Sequence, residues 1–175
     1  KASTDAPWRG GGPLGPAAGG WVPIAPSALP YNDGWPAPQA MAASDIAAVL
    51  DGFRAAARRA REAGFEVVEL HAAHGYLAHQ FLSPLSNRRG DAWGGALKGR
   101  ARFLHELIDA TRAEWPDHLP LFVRLSITDW VAGGWDEAQS LELVGALAER
   151  GDVDLVDCSS GGLDPGQRIA PYPGY

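Results

Sequence analysis

The chain has 175 residues, 46% hydrophobic and 21% charged, which is enough for one domain with a real core and excludes a disordered segment. A formal net charge of −6 leaves no basic surface for nucleic acid or an anionic membrane, and no apolar run approaches the roughly 20 residues of a membrane span. The single cysteine, Cys158, excludes an internal disulfide; it fits a reducing compartment, and with no basic-then-apolar leader a cytoplasmic protein is expected.

Residues 1–43 hold eight of the fourteen prolines and show no sustained period, so long loops are predicted there. Trp8, Trp21, Tyr31 and Trp35 are unlike the residues of a solvated linker and are expected to pack against a folded body. From Ser44 the pattern changes. Ile46, Val49, Leu50, Phe53, Ala57 and Ala60 recur at helical spacing, which predicts a helix with Ser44 as N-cap and Gly64 as its stop. "FEVVEL", residues 65–70, reads as a short buried strand. A second helix is predicted from Gly99 or Arg100, with Phe103, Leu104, Leu107, Ile108 and Thr111 on one side and Pro116 as its bound. "LPLFVRLSI", residues 119–127, is the second strand. "DEAQSLELVGALAER", residues 136–150, is the third helix, with Asp136 as N-cap, Gln139 completing a capping-box variant and Gly151 as stop. "VDLVDCSSGG", residues 153–162, is the third strand.

Helices alternating with strands imply a parallel sheet covered by helices. Between a doubly wound sheet and a barrel, the polar residues favour the barrel. His71 follows the first strand, Arg124 and Ser126 lie late in the second, and Cys158, Ser159 and Ser160 end the third. Barrel active sites gather at the C-terminal ends of several strands. No GxGxxG follows any strand, which weakens a dinucleotide fold. The expected class is therefore α/β, part of a (β/α)8 TIM barrel, with about three βα units and a long N-terminal loop region. Residues 1–43 are expected to be an irregular loop region of the barrel and residues 44–175 the central βα units of a single domain, incomplete at both ends. A first residue of Lys1 rather than Met agrees with a fragment.

The segment "ELHAAHGYLAHQFLSPLSNRRGD", residues 69–91, carries the most chemistry. If the chain turns helically after His71, then His71 and His74 point the same way, and their N–H groups can polarise a carbonyl or hold a phenolate. Tyr76 offers a phenolic proton at the same mouth. Two other readings stay open at this level: a metal site, although "HAAH" lacks the glutamate of HExxH, and histidines that only satisfy backbone groups at a strand end. Arg124, set among apolar residues, needs a partner. That partner is either an acid such as Glu69 or Asp157, or an electron-rich ligand above the sheet. "SPLSNRRGDAWGG" reads as a solvated loop or as a shaped loop over a site, and Cys158 as a small buried packing residue.

Taken together and in order, "AGFEVVELHAAHGYLAHQFLSPLSNRRGDAWGG", "RARFL", "LFVRLSITDW", "GGWD" and "VDLVDCSSGG" strongly resemble the Old Yellow Enzyme family of FMN-dependent ene-reductases. The similarity is greatest to its bacterial NADPH dehydrogenase-like branch, and "KAST", "PW" and "GGG" resemble the loop that precedes these motifs. The sequence departs from the pattern at Gly90, Trp93, Lys98 and Gly99. The resemblance implies a barrel holding FMN at its top, NADPH or NADH as reductant, a small enone-type substrate, and homo-oligomers of the full-length chain. By position, it implies that His71 and His74 grip the carbonyl oxygen of an activated alkene and that Tyr76 gives a proton to the carbon beside that carbonyl. Arg124 is implied to contact the flavin where negative charge gathers on reduction. Two rival classes remain at this level. One is a non-catalytic barrel remnant, or a subunit assembling with other pieces and holding no flavin; the other is a metal-dependent barrel hydrolase or lyase.

Overall fold

In the computed structural model, which describes residues 4–5 and 11–169, regular structure begins sparsely. A 3-10 turn at Pro16–Ala18 and a two-residue parallel pair, β1 (Ile24–Ala25) with β2 (Gln39–Ala40), are its main features before residue 43. The βα alternation follows: α1 (Ala43–Glu62), β3 (Val68–Ala72), α2 (Leu77–Leu82), α3 (Leu97–Arg112), β4 (Leu121–Ser126), α4 (Glu137–Arg150) and β5 (Leu155–Ser159). The last three strands form one parallel sheet in the order β3-β4-β5.

Alternation along these strands decides what the sheet buries. Leu70 and Ala72, with Leu121, Val123 and Leu125, face the helices and join a core with Ile46, Phe103, Leu104, Leu107, Ile108, Leu143 and Leu147. Phe81 of α2 stacks on Phe103 of α3 at 4.2 Å between ring centroids. Each leucine, isoleucine, valine or phenylalanine among them contributes about 1.5–3 kcal/mol when fully buried. The opposite face stays open, with Glu69, His71 and Leu155 exposed and Phe122, Arg124 and Asp157 half-buried.

The ends of α1 differ from the sequence expectation at one terminus. Its N-cap is Ala42, not Ser44, and Asp45 holds the start of the helix by accepting the Ala42 N–H at 2.8 Å. Gly64 does end it, in the left-handed region at φ 83°. There Gly64 N–H donates to Arg61 O and Phe65 N–H to Ala60 O, a Schellman closure. This closure consumes Phe65, so the expected buried strand at 65–70 shifts to Val68–Ala72, leaving Phe65 62% and Val67 42% exposed.

Three further expectations are corrected. The second predicted helix begins at Leu97, ahead of Gly99 and Arg100, and α2 was not anticipated. Asp136 does cap α4, accepting from Gln139 N–H at 2.9 Å. The Gln139 side chain, however, does not close a capping box; it donates to Gly134 O and accepts from Arg100. Trp21 and Tyr31 do not pack away, being 64% and 46% exposed, while Trp35 is half-buried edge-on to Tyr31. Trp8 and most of "KAST", "PW" and "GGG" lie outside the described residues. Among the described residues no helix is long and apolar enough to cross a membrane.

Candidate active site

The chain leaves β3 by a turn that brings distant strand ends together. It does not turn helically after His71: the strand continues to Ala72, and reversal comes at His74 and Gly75, both left-handed at φ 55° and 71°. Each part of that turn is tied to a neighbour. His74 N–H donates to Ser126 Oγ at 2.9 Å, and the Ser126 hydroxyl donates to Gly161 O at 2.8 Å. His74 Nε2 lies 2.5 Å from Ser159 Oγ. Gly75 N–H donates to His79 Nδ1 at 3.0 Å, and Gly75 O accepts from Gln80 Nε2 at 2.7 Å. The serines at the ends of β4 and β5 thus hold the β3 loop.

The result is a cluster of three rings. His71 lies 5.2 Å from the His74 ring and 4.9 Å from the Tyr76 ring, centroid to centroid. The sheet register sets His71 beside Arg124 and Arg124 beside Asp157, so the three form one row across the open face. Of the two acids considered for Arg124, the structure selects Asp157, with Nε and Oδ2 3.2 Å apart. The contact is off the N–H axis, leaving Nε without a hydrogen bond of good geometry. Arg124 is not buried as its apolar neighbours suggested, because strand alternation turns it to the open face at 38% exposure. Cys158 is likewise exposed rather than packed.

Electrostatics favour a neutral donor at His71. Loss of water around its ring and the Arg124 guanidinium hold its pKa below the ordinary 6.5, outweighing Glu69 and Asp157. A neutral imidazole still donates one N–H. The nearby guanidinium is also the wrong company for a divalent cation, and among the described residues no group of three His, Cys, Asp or Glu is placed to hold one. The row fits a planar, electron-rich ligand instead: a guanidinium carrying several N–H donors, with two imidazoles and a phenol at the strand ends.

The "SPLSNRRGDAWGG" segment is a shaped loop. Asn87 is 4% exposed, and its amide donates to Phe81 O and Trp93 O, each at 2.7 Å. Arg89 reaches Pro26 O and Met41 O, tying the N-terminal region to this loop. Sequence reasoning gave no role to His79, Asp129 or Gly162. His79 was visible as the third histidine of the segment, and Asp129 as an acid in the loop that follows an apolar strand.

A parallel sheet covered by helices, with polar side chains at the C-terminal ends of its strands, defines part of a (β/α)8 barrel. The chain belongs to the NADH:flavin oxidoreductase / NADH oxidase family, which it matches over residues 16–163. The NADPH dehydrogenase of Geobacillus thermodenitrificans is 50% identical over 152 residues, covering 87% of this chain and 44% of that protein. The structure of a 2-naphthoyl-CoA reductase complex superposes with a TM-score of 0.80 at 33% identity, covering 89% of this chain and 24% of that one. An old yellow enzyme homologue from Zymomonas mobilis superposes with a TM-score of 0.70 at 29% identity, over 86% of this chain and 46% of its own. The chain spans less than half the length of the curated relatives it matches.

Proposed function

We propose that the protein containing this chain is an FMN-dependent NAD(P)H oxidoreductase that reduces the C=C bond of activated alkenes such as enones. The observation that carries the reading is the meeting of His71, His74 and Tyr76 in one ring cluster beside Arg124. When bound, FMN would supply the hydride chemistry, taking two electrons from a nicotinamide and passing them to the alkene. Arg124 would hold the flavin ring through its guanidinium, oriented by Asp157. His71 and His74 would donate N–H groups to the substrate carbonyl oxygen, stabilising the negative charge that grows there as the alkene accepts hydride. Tyr76, 45% exposed beside them, would deliver its phenolic proton to the carbon next to that carbonyl. The relative named NADPH dehydrogenase supports the choice of reductant.

The test is NADPH oxidation by the full-length protein with 2-cyclohexenone as acceptor. Replacing both donors, His71→Ala with His74→Ala, should lower turnover by at least about 100-fold. Unchanged turnover in that double variant would sink the carbonyl-gripping role.

A further inference from the structure

His79 and Asp129 take no part in the chemistry above, yet both are fully buried. His79 lies on α2, just past the turn that carries His74. Its Nδ1 sits 3.0 Å from the Gly75 nitrogen, whose only hydrogen-bonding capacity is to donate. Nδ1 therefore carries a lone pair, and the ring proton is on Nε2. Nε2 lies 2.9 Å from Asp129 Oδ1 in a bent contact off the ring N–H axis. Asp129 is itself fixed: Oδ2 accepts from the Ser83 hydroxyl at 2.6 Å and from Trp135 N–H at 2.7 Å, and its own N–H donates to Trp135 O.

What this arrangement holds is an unfavourable conformation. A left-handed histidine such as His74, at φ 55°, is unfavourable because its Cβ crowds the following carbonyl oxygen, and it persists only where its surroundings impose it. The peptide joining His74 to Gly75 is the one whose N–H His79 accepts. We propose that His79, with Asp129 behind it, is a positioning residue: its Nε2-protonated neutral ring anchors the Gly75 N–H and so fixes the turn that sets His74 and Tyr76 beside His71. This inference rests on the donor-pair reading of His71 and His74.

Two measurements on the full-length protein test it. Long-range proton–nitrogen correlation of the imidazole rings reads the tautomer, with His79 assigned through its contact to the Gly75 N–H. A pyridine-type Nδ1 and a pyrrole-type Nε2 are expected at neutral pH. The reverse pattern, or an imidazolium, overturns the proposal.

The second measurement is the affinity of the oxidised protein for 4-hydroxybenzaldehyde, by calorimetry, in two variants. In His79→Asn the side-chain oxygen can stand where Nδ1 stands and accept from Gly75. In His79→Gln the longer side chain reaches Asp129 and leaves Gly75 without its acceptor. Binding should weaken about tenfold in the Gln variant, the effect of one lost hydrogen bond, and stay within about threefold of wild type in the Asn variant. Equal loss in both, or none in either, overturns the proposal. The His71→Ala, His74→Ala double variant in the same assay separates the two ideas. If it binds the phenol as wild type does, the donor-pair reading has failed. If it binds weakly while the Gln variant binds normally, only the positioning role has failed. Should neither His79 variant fold, the tautomer decides alone.

Discussion

Gly162 lies so close beneath His74 that a Cβ placed on it would come within 2.6 Å of the His74 Cα. The obstacle is backbone, which has no rotamer to change, and Gly162 is also in the left-handed region at φ 92°. Gly162→Ala should therefore destabilise the protein by about 1–3 kcal/mol and push the His74–Gly75 turn away from β5. Thermal melting of the full-length protein measures the first effect and phenol affinity the second. An unchanged melting temperature would mean that the turn has slack the geometry does not show.

Arg124 offers a second test because its charge and its shape can be separated. Arg124→Lys keeps a cation in the row between His71 and Asp157 but removes the planar fork. FMN affinity should fall about 10- to 100-fold, the range for a lost charge-assisted hydrogen bond. Fluorescence titration of the flavin-stripped protein would show it, and undiminished affinity would remove Arg124 from the proposed flavin contact.

The pH behaviour of His71 follows from its neighbours. Its folded pKa lies below the ordinary 6.5, so on acidification the unfolded chain takes up a proton that the folded site refuses. The unfolded state then binds more protons, and stability contributed at this site falls as pH drops from about 6.5 toward the folded midpoint. An NMR titration should place that midpoint below the ordinary value. Arg124→Ala should move it upward, since the repelling cation is gone. A midpoint at or above 6.5 in the unaltered protein would contradict the assigned environment.

The open sheet face predicts association of the chain expressed alone. Leu155 is 44% exposed and Phe122 half-buried, on the face that lines the inside of a barrel. Light scattering after gel filtration should find dimers or larger species rather than a monomer. A soluble monomer with a sharp cooperative melt would count against this.

Much of the fold was legible because it is local. The helical period of Phe103, Leu104, Leu107, Ile108 and Thr111 is buried as read, and all five lie on the inner side of α3. Gly64 and Gly151 stop their helices because glycine takes the left-handed conformation without a Cβ penalty. Strand limits were less legible. Nothing in "FEVVEL" announces that its phenylalanine belongs to the closure of the preceding helix, since that depends on which carbonyl its N–H meets. The short α2 was missed for a related reason: six residues hold little periodic signal.

The proposed site divides in the same way. Composition and spacing alone singled out His71, His74, Tyr76 and Arg124 as candidates, and the longer motifs around them, taken in order along the chain, carried the family resemblance. The sequence by itself also determined the parallel βα class, through periods that each segment carries internally. Only the tertiary structure decided that His74 is left-handed, that Asp157 rather than Glu69 pairs with Arg124, and that Ser126, Ser159 and His79 hold the turn. Those choices depend on strand register and on hydrogen bonds between residues up to 85 positions apart, and such contacts exist only once the sheet has formed.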